Sequence, residues 1–341
     1  MKRASKGSRR VRRKNRVVKW IERSEGNQNK AKTMIVVAGT IIADVFVRTL
    51  AGTVAPGTLT IVDEVGFHLG GAAPNTGAVL GRLGVPVSIV GRIGSDAFGS
   101  LVHQQIAAFA TRQSLAIAAR QPTTSVVGQI FKNGERSFLY AAGASAEFCA
   151  TDIDLEQEKA LGARALHLGY ALLLPALDGE PMLTLLRQAN QLGLLVSLDV
   201  AYFPGPNWAS IKPLLACVDV FCPNRNEAAA ITGTNDPVEA ADRLLTFGVR
   251  KFGAVKNGEW GAYVRQAGQP GIFLEPYRVP VIDTTGAGDA FLAGLLAGWY
   301  HGLSWEEAGR VANATAALAT TRQGATEGVD SWDQVMTLVK R

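Results

Sequence analysis

The sequence predicts an α/β protein: a doubly wound, mostly parallel sheet with helices on both faces, plus a small β-sheet lid. Three observations predict it. Apolar, β-branched runs alternate with helix-patterned segments along nearly the whole 341-residue chain. The 37 glycines are spread along the chain, often between apolar runs, as many tight strand-to-helix turns require. Two pairs of alternating strands also interrupt the series with no helix between their members, which suits an inserted lid.

The elements follow in order. Residues 34–341 are expected to form one domain, with lid strands inserted near 44–65 and 124–142. MIVVAGTIIADVFV opens at Met34 as a strand broken at Gly39, with Asp44 standing at its end. DVFVRTL (44–50) and TLTIVDEV (58–65) read as the first lid pair. LGGAAPNTGAVLGRLG (69–84) places Gly70 and Gly71 ahead of a helix, with Asn75 near its first turn. VSIVGRIG precedes a helix near 97–110. TSVVGQIF (124–131) and RSFLYAAG (136–143) form the second lid pair, with Asn133-Gly134 as a hairpin turn signal. Strand then helix recurs in ARALHLGYA with PMLTLLRQANQLG, LLVSLDV with ASIKPLLACV, and VDVFCPN with RNEAAAITG. A helix at 236–247 starts with Asp236 as cap, Pro237 in its first position and Glu239 as its third residue. FLEPYRVPVI (273–282) reads as extended chain, DAFLAGLLAGWYHG (289–302) as an apolar helix, and the last helix opens with the capping box Ser304 and Glu307.

Charge divides the chain unevenly. Residues 1–33 hold 13 Lys/Arg and two acidic residues, a net of +11; the rest holds 22 basic and 27 acidic residues, a net of −5. The acidic body gives no electrostatic argument for nucleic-acid binding. The basic arm cannot bury a core and is expected to be disordered or a lone helix. Three readings of it stand: a nucleic-acid-binding extension, an inert solubilising tail, or translated sequence upstream of a start at Met34. Cys149, Cys217 and Cys222 are an odd number without metal-type spacing, which suits reduced thiols in a cytoplasmic protein. The four histidines are scattered, which argues against a zinc site. No apolar run reaches the 18–20 or so residues that span a bilayer.

DTTGAGDAF (283–291) carries the chemistry. Its glycines sit between extended chain and an apolar helix, so the amides of Gly286, Ala287 and Gly288 project from a helix N-terminus and attract an anion. Asp289 is out of place beside a phosphate unless it takes a proton from a hydroxyl that attacks the phosphorus. The bland alternative is a carboxylate that only complements the helix dipole. The chain lacks GxxxxGK[ST], and GAGDAF is not GxGxxG, which argues against a P-loop NTPase and a dinucleotide-binding dehydrogenase. HRD and DFG are absent too, so a protein kinase is excluded. Asp44, Gly70, Gly71 and Asn75 are candidates to hold a polyol. In CPNRNEA, Asn224 and Glu227 stand three apart, suited either to orienting waters around Mg²⁺ or to capping a helix.

These motifs resemble the ribokinase-like, PfkB-type carbohydrate kinase family. The resemblance runs over about residues 34–330. DTTGAGDAFLAGLL is highly specific for that family, with GGAAPNTGAVLGRLG and GRIGSDAFG in support. It implies ATP-dependent phosphorylation of a primary hydroxyl on a sugar, sugar acid or nucleoside, with Asp289 as catalytic base and Gly286, Ala287 and Gly288 as anion hole. It puts Asp44, Gly70, Gly71 and Asn75 at the substrate, and Asn224 and Glu227 at Mg²⁺ and phosphates. Lys256 and Gly258 fall among the nucleotide contacts, and Asn313 beside adenine. Asp283 and Thr285 resemble a monovalent-cation site, while Gly328 stands near where ribokinase offers a serine, so dependence on K⁺ is left open. The family's lid often forms dimer contacts, which implies a homodimer. GGAAPN departs from the GGKGAN of true ribokinases and is closer to fructokinase-like and general sugar-kinase patterns. SLDVAYFPGPNW matches the D-x-N-x-R stretch of fructo- and ketodeoxygluconate kinases only at Asp199. A nucleoside kinase is the second reading, and a catalytically silent sugar-binding protein the third.

Overall fold

The computed structural model describes residues 33–341 except Ala51, Thr53, Asn133, Gly134 and Pro204; the basic arm and the Asn133-Gly134 turn thus lie outside the described residues. β1 (Met34–Gly39) is buried along its whole length. Its side chains alternate between two cores, Ile35 and Val37 on one face, Val36 and Ala38 on the other. A strand covered on both faces reads as a continuous apolar run, as this one does.

The chain continues through β2 (Ile42–Leu50), β3 (Glu64–Gly70), α1 (Ala72–Arg82), β4 (Val87–Ile93), α2 (Ala97–Ala107) and β5 (Arg112–Ile117). Then come β6 (Ser125–Phe131), β7 (Arg136–Ala141), α3 (Leu155–Ala160), β8 (Ala163–Ala171), α4 (Glu180–Gln191) and β9 (Leu195–Val200). The C-terminal third holds α5 (Lys212–Leu215), β10 (Val220–Phe221), α6 (Arg225–Thr232), α7 (Pro237–Thr246), β11 (Phe252–Lys256), β12 (Ala262–Gln266) and β13 (Ile272–Leu274). Three helices close it: α8 (Ala287–Tyr300), α9 (Trp305–Ala319) and α10 (Trp332–Val339).

Nine strands form the main sheet in the order β13-β12-β11-β10-β9-β8-β1-β4-β5. It is parallel except for the edge run β11-β12-β13. Helices α1, α2, α8, α9 and α10 contribute to one core, and α3, α4, α5, α6 and α7 to the other. From β1 the chain steps outward to β5, then returns beside β1 at β8 and runs the other way. The crevice past the carboxyl ends of β1 and β8 is therefore a topological switch point, where open α/β sheets bind ligands. The second sheet, β3-β2-β6-β7, is the lid; β2 and β6 join its two antiparallel pairs in parallel.

Four local expectations need correction. Asp44 does not end the first strand; it is the third residue of β2 and belongs to the lid sheet. The partner of β2 is 64–70 rather than 58–65, because pairing starts where β2 leaves the core, with Ile42 opposite Gly70. Leu59 and Ile61, 94% and 91% exposed, have nothing to pack on. Of 273–282 only the first two residues are strand, since Pro276 and Pro280 lack the N–H a ladder needs. A further helix, α10, follows the one that Ser304 caps; Ser331 accepts from Gln334 N at its start.

The caps of Asp236 and Ser304 form as expected. All three cysteines are free thiols. Among the described residues, no helix is long and apolar enough to cross a membrane.

Candidate active site

Asp289 is the third residue of α8 and is buried. The helix begins at Gly286, whose φ of +72° and close approach to the Ala325 carbonyl exclude a side chain. No side chain caps this start, and Ala287 N donates within the loop to the Thr284 carbonyl at 3.3 Å; a helix start without a side-chain cap can take an anion. Asp289 Oδ2 accepts two hydrogen bonds, from Asn75 Nδ2 at 2.9 Å and from Tyr170 Oη at 3.1 Å. Burial, then the charge of Asp199, push its carboxyl up to about 7, against the opposing pull of Asn75, Lys256 and Tyr170. A carboxyl poised there exchanges protons near neutral pH.

The two donors come from opposite sides of the switch point. Asn75 sits in the first turn of α1, which packs against α8. The structure thus joins Asn75 to the candidate base, a contact the sequence does not disclose. Tyr170 was missed altogether. It adopts φ +60°, uncommon for a bulky residue, where the register of β8 on β9 shifts between Leu168 and Ala171. Such strain costs roughly 1–3 kcal/mol and is tolerated where surrounding structure enforces it. Its phenol is raised well above its ordinary range by burial, then by the charges of Asp289 and Asp199, with Asp44 contributing, so it remains a donor.

Asp44 faces a pocket between lid and core, lined also by Arg48, His68, Arg136, Asp283 and Thr285. Burial pushes its carboxyl up to about 7. The space beside it exists because Gly70 has no side chain; a Cβ there would overlap the Asp44 carboxylate. Gly71 caps α1 with φ +95°, and Thr40 takes the next two amides, Ala72 N through Oγ1 and Ala73 N through its carbonyl.

On the other side of the DTTGAGD loop, Asn224, Lys256, Gly258 and Trp260 line an open cleft of about 330 Å³. Asn224 caps α6: its Oδ1 accepts from Asn226 N and Glu227 N, while Glu227 Oε2 accepts from Asn224 N at 2.7 Å. The capping alternative is thus realised. Glu227 is nonetheless buried, and that burial pushes it up to about 7 against the attraction of Lys256. Lys256 Nζ lies 3.7 Å from Asp199 Oδ1, an oxygen with no hydrogen-bond partner. Asn313 is not in the cleft lining; it is buried on α9 and donates to the Glu275 carbonyl at 2.7 Å.

Among the described residues no three His, Cys, Asp or Glu side chains cluster to cage a metal. Mg²⁺ needs no such cage, since it keeps waters and takes one or two carboxylates plus phosphates. Glu227 fits that pattern as one such carboxylate, while Asp199 Oδ1 faces the Lys256 ammonium. Asp283 and Thr285 do not form an open cation site. Arg136 Nη1 donates to Asp283 Oδ1 at 2.9 Å and to Thr285 Oγ1 at 2.8 Å, and the amides of Thr285 and Gly324 donate to the same carboxylate. A serine in place of Gly328 would run into the Leu318 carbonyl.

A switch-point carboxylate behind bare helix amides, with a lid above it, is a recurring arrangement. A model of the pfkB family carbohydrate kinases matches residues 32–332. Fructokinase of Klebsiella pneumoniae is 32% identical over 280 residues, 75% of this chain and 87% of that protein. 2-Dehydro-3-deoxygluconokinase of Bacillus subtilis is 29% identical over 291 residues, covering 82% and 89%. The structure of Arabidopsis thaliana ribokinase with ribose and ATP superimposes with a TM-score of 0.80 at 26% identity, covering 91% of this chain and 99% of that one. The family match over nearly the whole described chain agrees with the fold, and the chain belongs to the pfkB family of carbohydrate kinases.

Proposed function

We propose that this kinase transfers the terminal phosphoryl group of ATP to a primary hydroxyl of a small sugar or sugar acid. Asp44, Gly70 and Gly71 hold the acceptor, and Asn75 reaches both it and the base. Asp289 removes the hydroxyl proton as oxygen attacks phosphorus. The amides of Gly286, Ala287 and Gly288 receive the charge that builds on the transferring group. Asn224, Lys256 and Gly258 bound the nucleotide, with Asn313 behind them on α9. Glu227 would hold Mg²⁺, which would supply screening of the phosphate charge. Arg136 already supplies the positive charge at Asp283 and Thr285, which favours turnover without K⁺.

The observation that carries the reading is Asp289: buried, bonded to Asn75 and Tyr170, and raised to about 7 at the start of an uncapped helix. Arg48 and Arg136 line the acceptor pocket, each paired with a carboxylate, Glu64 and Asp283, so the pocket suits a neutral sugar as well as a sugar acid. On the lid face turned away from Asp44, Val65 and Leu139 are exposed, which suits a homodimer through the lid. Three free thiols suit the cytoplasm.

The test is a phosphoryl-transfer screen of the full chain with ATP and Mg²⁺ against fructose, 2-dehydro-3-deoxygluconate, ribose and nucleosides, with Asp289→Asn beside it. Turnover on a sugar or sugar acid, lost in Asp289→Asn, supports the reading. Turnover on nucleosides alone moves it to the nucleoside-kinase alternative. Sugar binding without any turnover leaves a silent binding protein.

A further inference from the structure

Lys256 ends β11 with its backbone at the nucleotide cleft, its amide bonded to the Pro223 carbonyl. Its side chain turns inward instead of toward the cleft and is 14% exposed. The ammonium comes to rest against the anion hole: a Cβ built on Gly288 would lie 3.1 Å from Lys256 Nζ. Gly288 is the second residue of α8, so this cation stands directly behind the amides of the helix start. A side chain at 288 would fill the gap between ammonium and loop, which gives that glycine a reason beyond backbone conformation.

The anion that holds Lys256 does not use it up. Asp199 is its ion-pair partner at 3.7 Å, well beyond the 2.7–2.9 Å or so of a charge-assisted hydrogen bond. An ammonium has three donors. A purely structural pair buried to this degree would be expected to close to contact, since desolvation otherwise exceeds the attraction. The other ionisable groups that act on Lys256 are Glu227, Cys222 and Asp289.

We infer that Lys256 is a catalytic residue, the fixed cation of the anion hole, and that Asp199 is a positioning residue that aims it. This rests on the sugar-kinase reading given above and reassigns Lys256 from a general nucleotide contact to the transferring group. The bond from the acceptor oxygen to the terminal phosphorus forms while the bond from phosphorus to the bridging oxygen breaks. The electron pair of that broken bond leaves on ADP. The acceptor proton goes to Asp289. Lys256 keeps all its protons and donates hydrogen bonds to the oxygens of the phosphoryl group as it passes over Gly288. Amides supply direction to this site and Lys256 supplies net charge, a division suited to a group that carries charge throughout the transfer.

The test uses the full chain with three variants, Lys256→Met, Asp199→Asn and the double variant, and Asp289→Asn as reference. Turnover is measured with ATP, Mg²⁺ and whichever of fructose, 2-dehydro-3-deoxygluconate or ribose the wild type uses best. Binding of ADP and of the non-hydrolysable analogue AMP-PNP is measured calorimetrically, which needs no acceptor. Lys256→Met should lose about 100-fold or more in kcat, the usual effect of removing one such donor. AMP-PNP should weaken at least about tenfold relative to ADP, whose own affinity should stay within about threefold. Asp199→Asn should lose about tenfold in kcat and spare the acceptor KM. The double variant should match Lys256→Met alone, because a positioning residue has nothing left to aim. The double variant also leaves no unpaired charge at position 199, and it carries the measurement if Lys256→Met does not fold. Retention of kcat within fivefold in Lys256→Met or the double variant, or equal losses for ADP and AMP-PNP, would overturn the assignment. If Asp289→Asn also keeps its turnover, the fault lies in the base and the reading beneath; if Asp289→Asn is dead while Lys256→Met is active, it lies with Lys256 alone.

Discussion

The carboxyl edge of the main sheet and the lid are built to opposite specifications. At the sheet edge Asp289, Asn75, Tyr170, Asp199 and Lys256 are all fully or largely buried and restrain one another. Strands of the main sheet carry Tyr170, Asp199 and Lys256, and the first turns of α8 and α1 carry Asp289 and Asn75. The lid sheet has one face toward the pocket and one toward solvent, and β7 leaves Phe138, Leu139 and Tyr140 exposed. Its tie to the DTTGAGD loop is Arg136, itself 31% exposed. Chemistry is thus prebuilt in the core, where a fixed geometry lowers the cost of reaching the transition state. In the proposed reading, acceptor recognition falls to the lid sheet that Arg136 joins to this loop.

The comparison predicts that damage to the sheet edge falls on kcat and damage to the lid falls on KM. The largest effect belongs to Asp289→Asn, which should lower kcat at least about 100-fold with little change in nucleotide affinity. Its stability should depend on pH in a defined direction. Asp289 in the folded protein is raised to about 7, so its protonated form contributes stability that is present below the unfolded value near 4 and lost as pH rises through 7. Asn carries no such loss. The variant's melting temperature should exceed that of the wild type at pH 8 and converge with it near pH 4. Equal melting curves at pH 8 would mean that the base is not desolvated.

Asp44→Ala comes next. It should raise the acceptor KM about ten- to 100-fold, the worth of a charge-assisted hydrogen bond to a sugar hydroxyl, and leave the pH profile in place. A fall in kcat at unchanged KM would place Asp44 with the chemistry and erase the division between lid and core. Tyr170→Phe is a finer probe of the sheet edge. The phenol stabilises ionised Asp289, so its loss should move the acid limb of kcat/KM upward from near 7 by about 1 pH unit. The acceptor KM should hardly change, and an unmoved limb would detach Tyr170 from the base. The smallest effect is expected for Arg136→Gln. A half-exposed ion pair is worth about 0–1 kcal/mol, so the acceptor KM should rise two- to fivefold, less at high salt. A larger loss in kcat would show that the lid tie shapes the anion hole.

The fold was legible because two periodicities survive in single segments. β1 is a continuous apolar run, and α8 opens from a glycine turn into the apolar DAFLAGLLAG. The glycine turn and the place of Asp289 at a helix start were legible for the same reason: they lie within nine consecutive residues. What stayed hidden was non-local. Nothing near Tyr170 marks a bulge, because the shift depends on how β8 meets β9. Asn75 reads as a polyol ligand until α1 is laid against α8. Lys256 reads as one lysine in VKNGEWGA until Gly288 is folded over it. Asn224 and Glu227 could not be divided between cap and ligand from sequence, since both uses ask for the same two residues at the same spacing. The misplaced lid strand is a register error: 58–65 alternates as well as 64–70, and only pairing with β2 separates them.

The bond from Asn75 to Asp289 joins residues 214 positions apart. A ribosome has made most of the chain before the second partner exists, and α8 must also clear the exit tunnel before the bond can form. The nascent protein can have a formed N-terminal half, with lid and much of the sheet, while it has no base and no anion hole. Activity should therefore appear late and abruptly during synthesis. A chain released early, or trimmed from its C-terminal end past α8, should bind ligand surfaces poorly and transfer nothing.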